Sequence, residues 1–412
     1  MRVLVHCHYF PPEIGAPQAR LSEMARFWAE AGDEVTVLTG MPNHPTGVIP
    51  EAYRGRRLVE EQVDGYRVVR TWLYATPNEG VAKKTLGHLS LMVTAVLLGA
   101  RKVGPVDVVV VSSPTSFSIF SAWLIARLCR ARLIVEIRDL WPAIFVELGV
   151  LTNRRLIAVL ERLEMAAYRA ADAVVVVSEG FRQNLLTRGV PADKVTTIRN
   201  GADLGRFEPD READPEVRRR LGAGPDDVVA LYIGAHGISH GLTEVAEAAE
   251  LLDADTPIRF AFVGEGAAKA DLVRKVQEMG LSNVKLLPGV PRQQVPDLLA
   301  AADICLAPLR DVPLFSTFIP SKIFEYLAAG RPVVGALRGE PATILTKAGA
   351  EVVEPGDPKA LAAAVEALAA DPARRARMGE EGRRYVEEHF DRRRLADTYR
   401  RLIHATANQG SQ

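Results

Sequence analysis

Short apolar runs recur from one end of this 412-residue chain to the other, each closing on a glycine, proline or polar turn and each followed by an amphipathic stretch. RVLVHCH, EVTVLTG, DVVVVSS, RLIVEIR and AVVVVS fall in the first half, and VVALYIG, RFAFVG, VKLLPG, ICLAP, PVVGA and AEVVE in the second. Runs that are apolar at nearly every position suit strands covered on both faces, and such strands separated by helices form parallel sheets. Helical periodicity is read over 18–31 and 357–369. The fold class is therefore α/β with doubly wound parallel sheets. One interruption is expected, a hairpin after the second strand in which RRLVEEQV and YRVVRT flank Asp64 and Gly65.

A chain of this length exceeds one ordinary core, and two domains are the natural expectation. The break falls in IRNGADLGRFEPDREADPEV, where Asn-Gly, proline and a run of charges stop the strand-helix rhythm. The first domain is then 1–200, a linker follows over 201–217, and the second domain begins at 218. Doubly wound sheets bind ligands outside the carboxyl ends of their strands, so a cleft faced by both domains is where chemistry is expected.

Lys+Arg and Asp+Glu balance at 51 each, which leaves no global field to attract nucleic acid. The three cysteines, Cys7, Cys129 and Cys305, are far apart in apolar surroundings and carry no metal-ligand spacing. The amino terminus MRVLVHCHYFPPE has no long apolar run or small-residue cleavage site and reads as a first strand, so a cytoplasmic protein is expected. The most membrane-like stretch is LSLMVTAVLLGA at 89–100, preceded by Lys83 and Lys84 and followed by Arg101 and Lys102. It is shorter than the roughly 20 residues that span a bilayer, which leaves a buried core helix or a helix lying on the inner membrane leaflet. The final ANQGSQ reads as a frayed tail.

Four strand-to-helix loops carry the candidate chemistry. In YFPPEIGAPQARL, Gly15 lets the backbone approach a ligand and Ala16 opens the next helix. In YIGAHGISHGLTEV, Gly234, Gly237 and Gly241 are interleaved with His236 and His240, so imidazole and loop amides could hold phosphate oxygens. The spacing is neither a dinucleotide fingerprint nor a P-loop. In VEIRDLWPAIFVEL, Arg138, Asp139 and Trp141 end an apolar strand, either as a local ion pair or facing a phosphate or sugar. In FIPSKIFEYLAAGRPVVGA, Pro320 stops any preceding helix, Ser321 is a suitable N-cap, and the helix runs to Gly330. That helix is almost wholly apolar yet carries Lys322 and Glu325 on one face. A buried ion pair seldom adds net stability, so a ligand is the better reason for both, with Lys322 at a diphosphate and Glu325 at a ribose diol.

Taken in order, FPPEIGAP, GDEVTVLTGMPNHPTG, SSPTSF, EIRDLWP, NGAD, GAHGISHGL, LPGVPRQQVPDLLAAADICLAPL and PSKIFEYLAAGRPVV resemble family 4 of the retaining glycosyltransferases. The resemblance is greatest to bacterial surface-polysaccharide transferases of the WbuB type. It implies the GT-B fold, with a C-terminal nucleotide-sugar domain over 218–384, an N-terminal acceptor-side domain and a returning helix within 385–412. It also implies that Glu325 holds the nucleotide ribose, Ser321 and Lys322 flank the diphosphate, and Val290 and Arg292 lie under the base. Gly15 and Ala16 correspond to a loop closing on the diphosphate. Arg138 stands where many members have a histidine beside the donor sugar, and Thr317 where the first of the family's two glutamates would fall. The expected activity is transfer of a hexose-type sugar from a UDP-sugar, with retention, to a lipid-linked or polysaccharide acceptor. No metal or other cofactor is expected, and Lys322, His236 and His240 would stabilise the leaving diphosphate. A nucleotide-sugar 2-epimerase and a non-catalytic sugar-nucleotide binder are the alternatives.

Overall fold

The computed structural model describes residues 1–44, 46–77, 80–113, 116–252 and 256–409. Pro114 and Thr115 of SSPTSF, Pro45 of the NHPTG segment and the end of the ANQGSQ tail lie outside them. The chain divides into two compact units, one of Met1–Arg199 with Arg393–Gln412 and one of Asn200–Arg392.

The first unit is built on β1 (Arg2–His6), β2 (Glu34–Gly40), β3 (Leu58–Val63), β4 (Tyr66–Thr71), β5 (Val108–Ser113), β6 (Arg132–Ile137), β7 (Ala173–Val176) and β8 (Val195–Thr197). Their order across the sheet is β3-β4-β2-β1-β5-β6-β7-β8. All neighbours are parallel except β3 and β4, which form the expected hairpin. Asp64 and Gly65 both take positive φ at its tip, the conformation that a two-residue hairpin turn requires. The hairpin joins the sheet through β4 lying parallel to β2. The short β8 is absent from the sequence reading because Val-Thr-Thr makes no apolar run.

The second unit holds β9 (Val228–Ile233), β10 (Ile258–Val263), β11 (Val284–Leu287), β12 (Ile304–Leu306), β13 (Val333–Ala336) and β14 (Glu351–Val353), in the all-parallel order β11-β10-β9-β12-β13-β14. Both are doubly wound, with the strand order reversing between β1 and β5 in one sheet and between β9 and β12 in the other. The fold is GT-B.

The last helix, Arg392–Asn408, returns to the first unit. Trp28 packs edge-on against its Tyr399 at 5.2 Å between ring centroids and donates to the Ala396 carbonyl at 3.0 Å. Asp33 receives Arg400 Nε at 2.6 Å and contacts His404 Nε2 at 3.0 Å. Residues before Arg392, including the helix Pro372–His389, stay with the second unit.

The apolar stretch after Lys83 forms a longer helical segment than 89–100. Lys83–Val103 is helical throughout, with a π-turn over Ala95–Gly99, and by length and composition could cross a membrane. Leu91, Ala95, Gly99 and Val103 recur every four residues and are buried, whereas Leu86, Val93 and Leu97 are exposed. One face is thus committed to the domain and the other is apolar in solvent.

Candidate functional site

In the second unit, β9 delivers the chain to Gly234, whose φ of +143 is open only to glycine. A Cβ there would lie 3.0 Å from Lys322 Nζ, so the lysine passes directly over the turn. The helix Lys322–Ala328 is fixed in that position by Tyr326, whose hydroxyl both accepts from the Ile233 amide and donates to the Ile233 carbonyl at 3.1 Å. Those two bonds lock the helix to the last residue of β9. Lys322 Nζ then stands 3.6 Å above the centroid of the Tyr232 ring and has no hydrogen-bond partner among the described residues. Burial lowers its pKa well below the ordinary lysine value, and the Glu325 charge opposes that shift.

His236 is fully buried, and among the described residues neither of its ring nitrogens has a hydrogen-bond partner. Burial first, and then the charges of Lys269 and Lys322, push its pKa down to about 4. Its backbone is held by the next strand-end loop. The His236 amide donates to the Glu265 carbonyl at 2.8 Å, and its carbonyl accepts from Ala268 at 2.8 Å. This close approach depends on Gly264 and Gly266, because a Cβ at Gly264 would run into the Gly234 carbonyl and one at Gly266 into the His236 carbonyl. His240 ends the 3-10 turn Ile238–His240 and is held neutral chiefly by burial and then by Lys322. Gly241 follows in the left-handed region and opens the helix Leu242–Glu250.

The structure brings Gly234, His236, His240 and Lys322 to one place beside the β9–β12 switch point. Glu325 and Arg292 meet each other, Nη1 to Oε1 at 3.0 Å. Lys269 ties the Gly264 and Leu287 carbonyls to the Glu265 carboxylate, and Glu265 accepts from the Gly289 amide at 3.3 Å, which sets the loop bearing Val290. Thr317 donates its hydroxyl to the Leu314 carbonyl within its own turn at 2.8 Å. Ser321 does not cap the helix: it already has helical dihedrals, and its side chain accepts no backbone hydrogen bond. The expected N-cap role is corrected accordingly.

In the first unit, Gly15 caps the helix Ala16–Glu30 at its amino end, and Ala16 is the first residue of that helix. Arg138 follows β6 and is buried. Burial raises the Asp139 carboxyl and Arg138 offsets part of that effect. Beneath them, Glu136 accepts from Arg20 Nη2 and Ser112 Oγ, both at 3.0 Å. Burial alone would raise the Glu136 carboxyl, but Arg20 and Arg138 hold it below the usual range.

Sequence reasoning missed the loop bearing Gly264, Glu265 and Gly266. Its signal was present as VGEG at the end of an apolar run. It also missed Glu13, which accepts the amides of Phe10 at 2.9 Å and of Asn43 and His44 at 2.8 Å. No spacing rule points to a carboxylate whose partners are backbone groups of a distant loop. Among the described residues no group of three or more His, Cys, Asp or Glu side chains is placed to hold a metal ion.

Known proteins show the same architecture and similar sequences. A glycosyl transferase 4-like domain matches residues 15–201, and a domain described as glycosyl transferases group 1 matches residues 213–385. The chain is 28% identical over 336 residues to the putative colanic acid biosynthesis glycosyl transferase WcaI of Escherichia coli K12, covering 80% of this chain and 82% of that protein. It is 30% identical to the GDP-mannose-dependent alpha-(1-6)-phosphatidylinositol monomannoside mannosyltransferase of Mycolicibacterium smegmatis, over 53% of this chain and 59% of that one. Among solved structures, HepE of Anabaena in complex with UDP and glucose superposes with a TM-score of 0.72 at 17% identity, covering 98% of this chain and all of that one.

Proposed function

Since the chain belongs to the GT-B glycosyltransferases of family 4, acting in polysaccharide or glycoconjugate biosynthesis, we propose that it moves a hexose-type sugar from a UDP-sugar to a lipid-linked or polysaccharide acceptor with retention, as in the WbuB-like subgroup. The observation that carries this reading is the buried amine of Lys322 between the Gly234 turn and the Tyr232 ring, which has no hydrogen-bond partner among the described residues. A buried donor without an acceptor is costly, and a diphosphate is the group whose oxygens and charge relieve that cost. His236 and His240 face the same position and add donors once protonated or suitably tautomerised.

In the proposed reaction the bond from the anomeric carbon to the diphosphate oxygen breaks, and the acceptor oxygen bonds to the same face of that carbon. The acceptor's proton passes to the departing diphosphate. Lys322 stabilises the charge that develops there, a role preorganised by Tyr326 and β9. Glu325, oriented by Arg292, accepts from the ribose hydroxyls, and Val290 flanks the base. Ser321 and Thr317 are proposed to bind the diphosphate and the sugar. In the first unit, Arg138 is proposed to be catalytic, and Asp139, Gly15 and Ala16 to bind substrate. Catalysis is proposed to be independent of metal. The protein is proposed to work in the cytoplasm, with the exposed Leu86, Val93 and Leu97 face resting on the inner membrane leaflet.

Thermal stabilisation tests the donor class. UDP should raise the melting temperature of the wild-type protein and leave Lys322→Met unmoved, and a larger shift with GDP would overturn the UDP assignment. Release of UDP that requires acceptor excludes a mere binder, whereas a 2-epimerised sugar formed without acceptor would replace transfer by isomerisation.

A further inference from the structure

The first sheet has its own switch point, between β1 and β5, and none of the residues assigned above explains what stands there. The chain leaving β1 presents His8, which is 4% exposed, and the helix Val81–Thr94 brings His88 against it. The two Nδ1 atoms are 3.1 Å apart, so one ring donates and the other accepts. Tyr9 packs edge-on to His8 at 4.4 Å and lies 5.0 Å from His44, which arrives on the loop after β2. These four rings line a pocket together with Lys83 and Lys84, and among the described residues its lining contains no carboxylate. Glu13 is close by but is occupied by three backbone amides.

Sugar hydroxyls are commonly held by carboxylates, which this lining lacks, and a cation would meet two lysines. An oxyanion fits both facts. Burial, followed by the Lys84 charge, lowers the His88 pKa to about 4 and depresses His44 as well, so the rings rest neutral in a field that favours negative charge. An entering anion would reverse that field and let imidazole N–H groups donate to its oxygens. The helix that carries His88, Lys83 and Lys84 is the one whose outer face is apolar.

We propose that His8, His44 and His88, with Lys83 and Lys84 at the mouth, bind the phosphate or diphosphate group of the acceptor, which is a saccharide linked to a lipid phosphate. This rests on the glycosyl-transfer reading and gives the acceptor its chemical class.

The test uses the full chain carrying Lys322→Met, so that the donor site does not compete for phosphate. Imidazole nitrogen resonances are followed by NMR while inorganic pyrophosphate, farnesyl diphosphate or farnesol is added. The expected result is a saturable shift of the His8 and His88 nitrogens with both diphosphates and none with farnesol, weakened at least ten-fold by Lys84→Ala or His88→Gln. No shift with either diphosphate, or an equal shift with farnesol, would overturn the site. Farnesyl diphosphate binding ten-fold more tightly than pyrophosphate supports a lipid-linked source, and the reverse order refutes it. UDP stabilisation of His88→Gln with Lys322 intact shows that the variant is folded and that the donor reading stands by itself.

Discussion

At the switch point of the second sheet glycine turns close around a lysine and two histidines, whereas at that of the first a cluster of rings lines a pocket. Gly234, Gly264 and Gly266 carry no side chain where the loops after β9 and β10 meet, so those loops approach each other closely beside the single long side chain of Lys322. After β1 the same position is filled by His8, Tyr9, His44 and His88, with lysines only at the rim. A site of closely packed glycine turns around one buried, positioned amine suits a ligand whose phosphates are invariant. A site walled by titratable rings has to be filled by something that supplies its own charge. Both places keep potential cations neutral by burial, so each gains charge when an anion arrives.

The largest effect expected from breaking this pairing falls on Lys322. Lys322→Met keeps the stem over Tyr232 and removes the ammonium, and turnover should fall by about 10²–10³ while the fold persists. The protonation change sharpens the test. Because the folded-state pKa of Lys322 lies below its ordinary value and a diphosphate would raise it, UDP binding should take up protons, seen as a calorimetric enthalpy that varies with the buffer. Lys322→Met should abolish the Lys322 share of that uptake. Unchanged uptake in the variant would move the role to His236 or His240.

A smaller effect follows from restoring side chains to the glycine loops. Gly264→Ala places a methyl against the Gly234 carbonyl, and the two loops must separate. We expect about 1–3 kcal/mol of destabilisation, as overpacking costs elsewhere, and a weaker UDP-induced melting shift. Gly280→Ala is the matching control: it also has positive φ, but nothing lies near its Cβ, so it should cost stability without touching nucleotide binding. Equal loss of UDP response in both variants would mean that loop strain, not the close approach, is responsible.

Acid should separate the two units. His6 and His88 in the first, and His236 in the second, are held to about 4 by burial, against an ordinary value of 6.5. Between those values the unfolded chain binds more protons than the folded one, so stability falls as pH drops from 6.5 towards 4. His8 and His44 add to the first unit and His240 to the second. With four such histidines against two, the first unit should unfold at higher pH. Trp28, Trp72, Trp123 and Trp141 all belong to it, so tryptophan emission should shift before the far-ultraviolet dichroism is fully lost. Coincident transitions would refute the ordering.

Much of this architecture was legible in the sequence because it rests on local patterns. Val-rich runs define twofold-buried strands whatever their order, and Asp64-Gly65 defines a hairpin by itself. The helix after Pro320 was legible for the same reason, with its buried lysine conspicuous among apolar neighbours. What was not legible depends on distant contacts. Glu325 meets Arg292, Tyr326 bonds both polar groups of Ile233, and His8 meets His88 only because β1 and the helix Val81–Thr94 are neighbours in the fold. Ser321 shows the converse failure, a residue type suited to capping in a segment whose dihedrals were already helical.

The smallest expected effect concerns the surfaces around the two sites. Among the described residues, Ile238 and Leu251 are the exposed large hydrophobic side chains of the second unit, whereas the first carries Leu86, Val93, Leu97, Phe120, Leu128 and others. If the first unit rests on an anionic membrane, the exposed Lys83 and Lys84 at the start of the apolar helix should carry the electrostatic part of the attraction, and Lys102, whose charge is offset by Glu60 at 3.3 Å, should add less. A basic residue near such a surface is worth about 1 kcal/mol, roughly five-fold in partition. Replacing Lys83 and Lys84 with glutamine should therefore reduce co-sedimentation with vesicles rich in anionic lipid, and Lys102→Gln should reduce it less. Salt should weaken binding of the wild type and leave a residue due to the apolar face, which Leu97→Asp removes. Vesicle binding indifferent to all three changes would detach the histidine pocket from the membrane. The proposed acceptor would then have to reach the pocket from solution, and the two switch points would differ in chemistry alone.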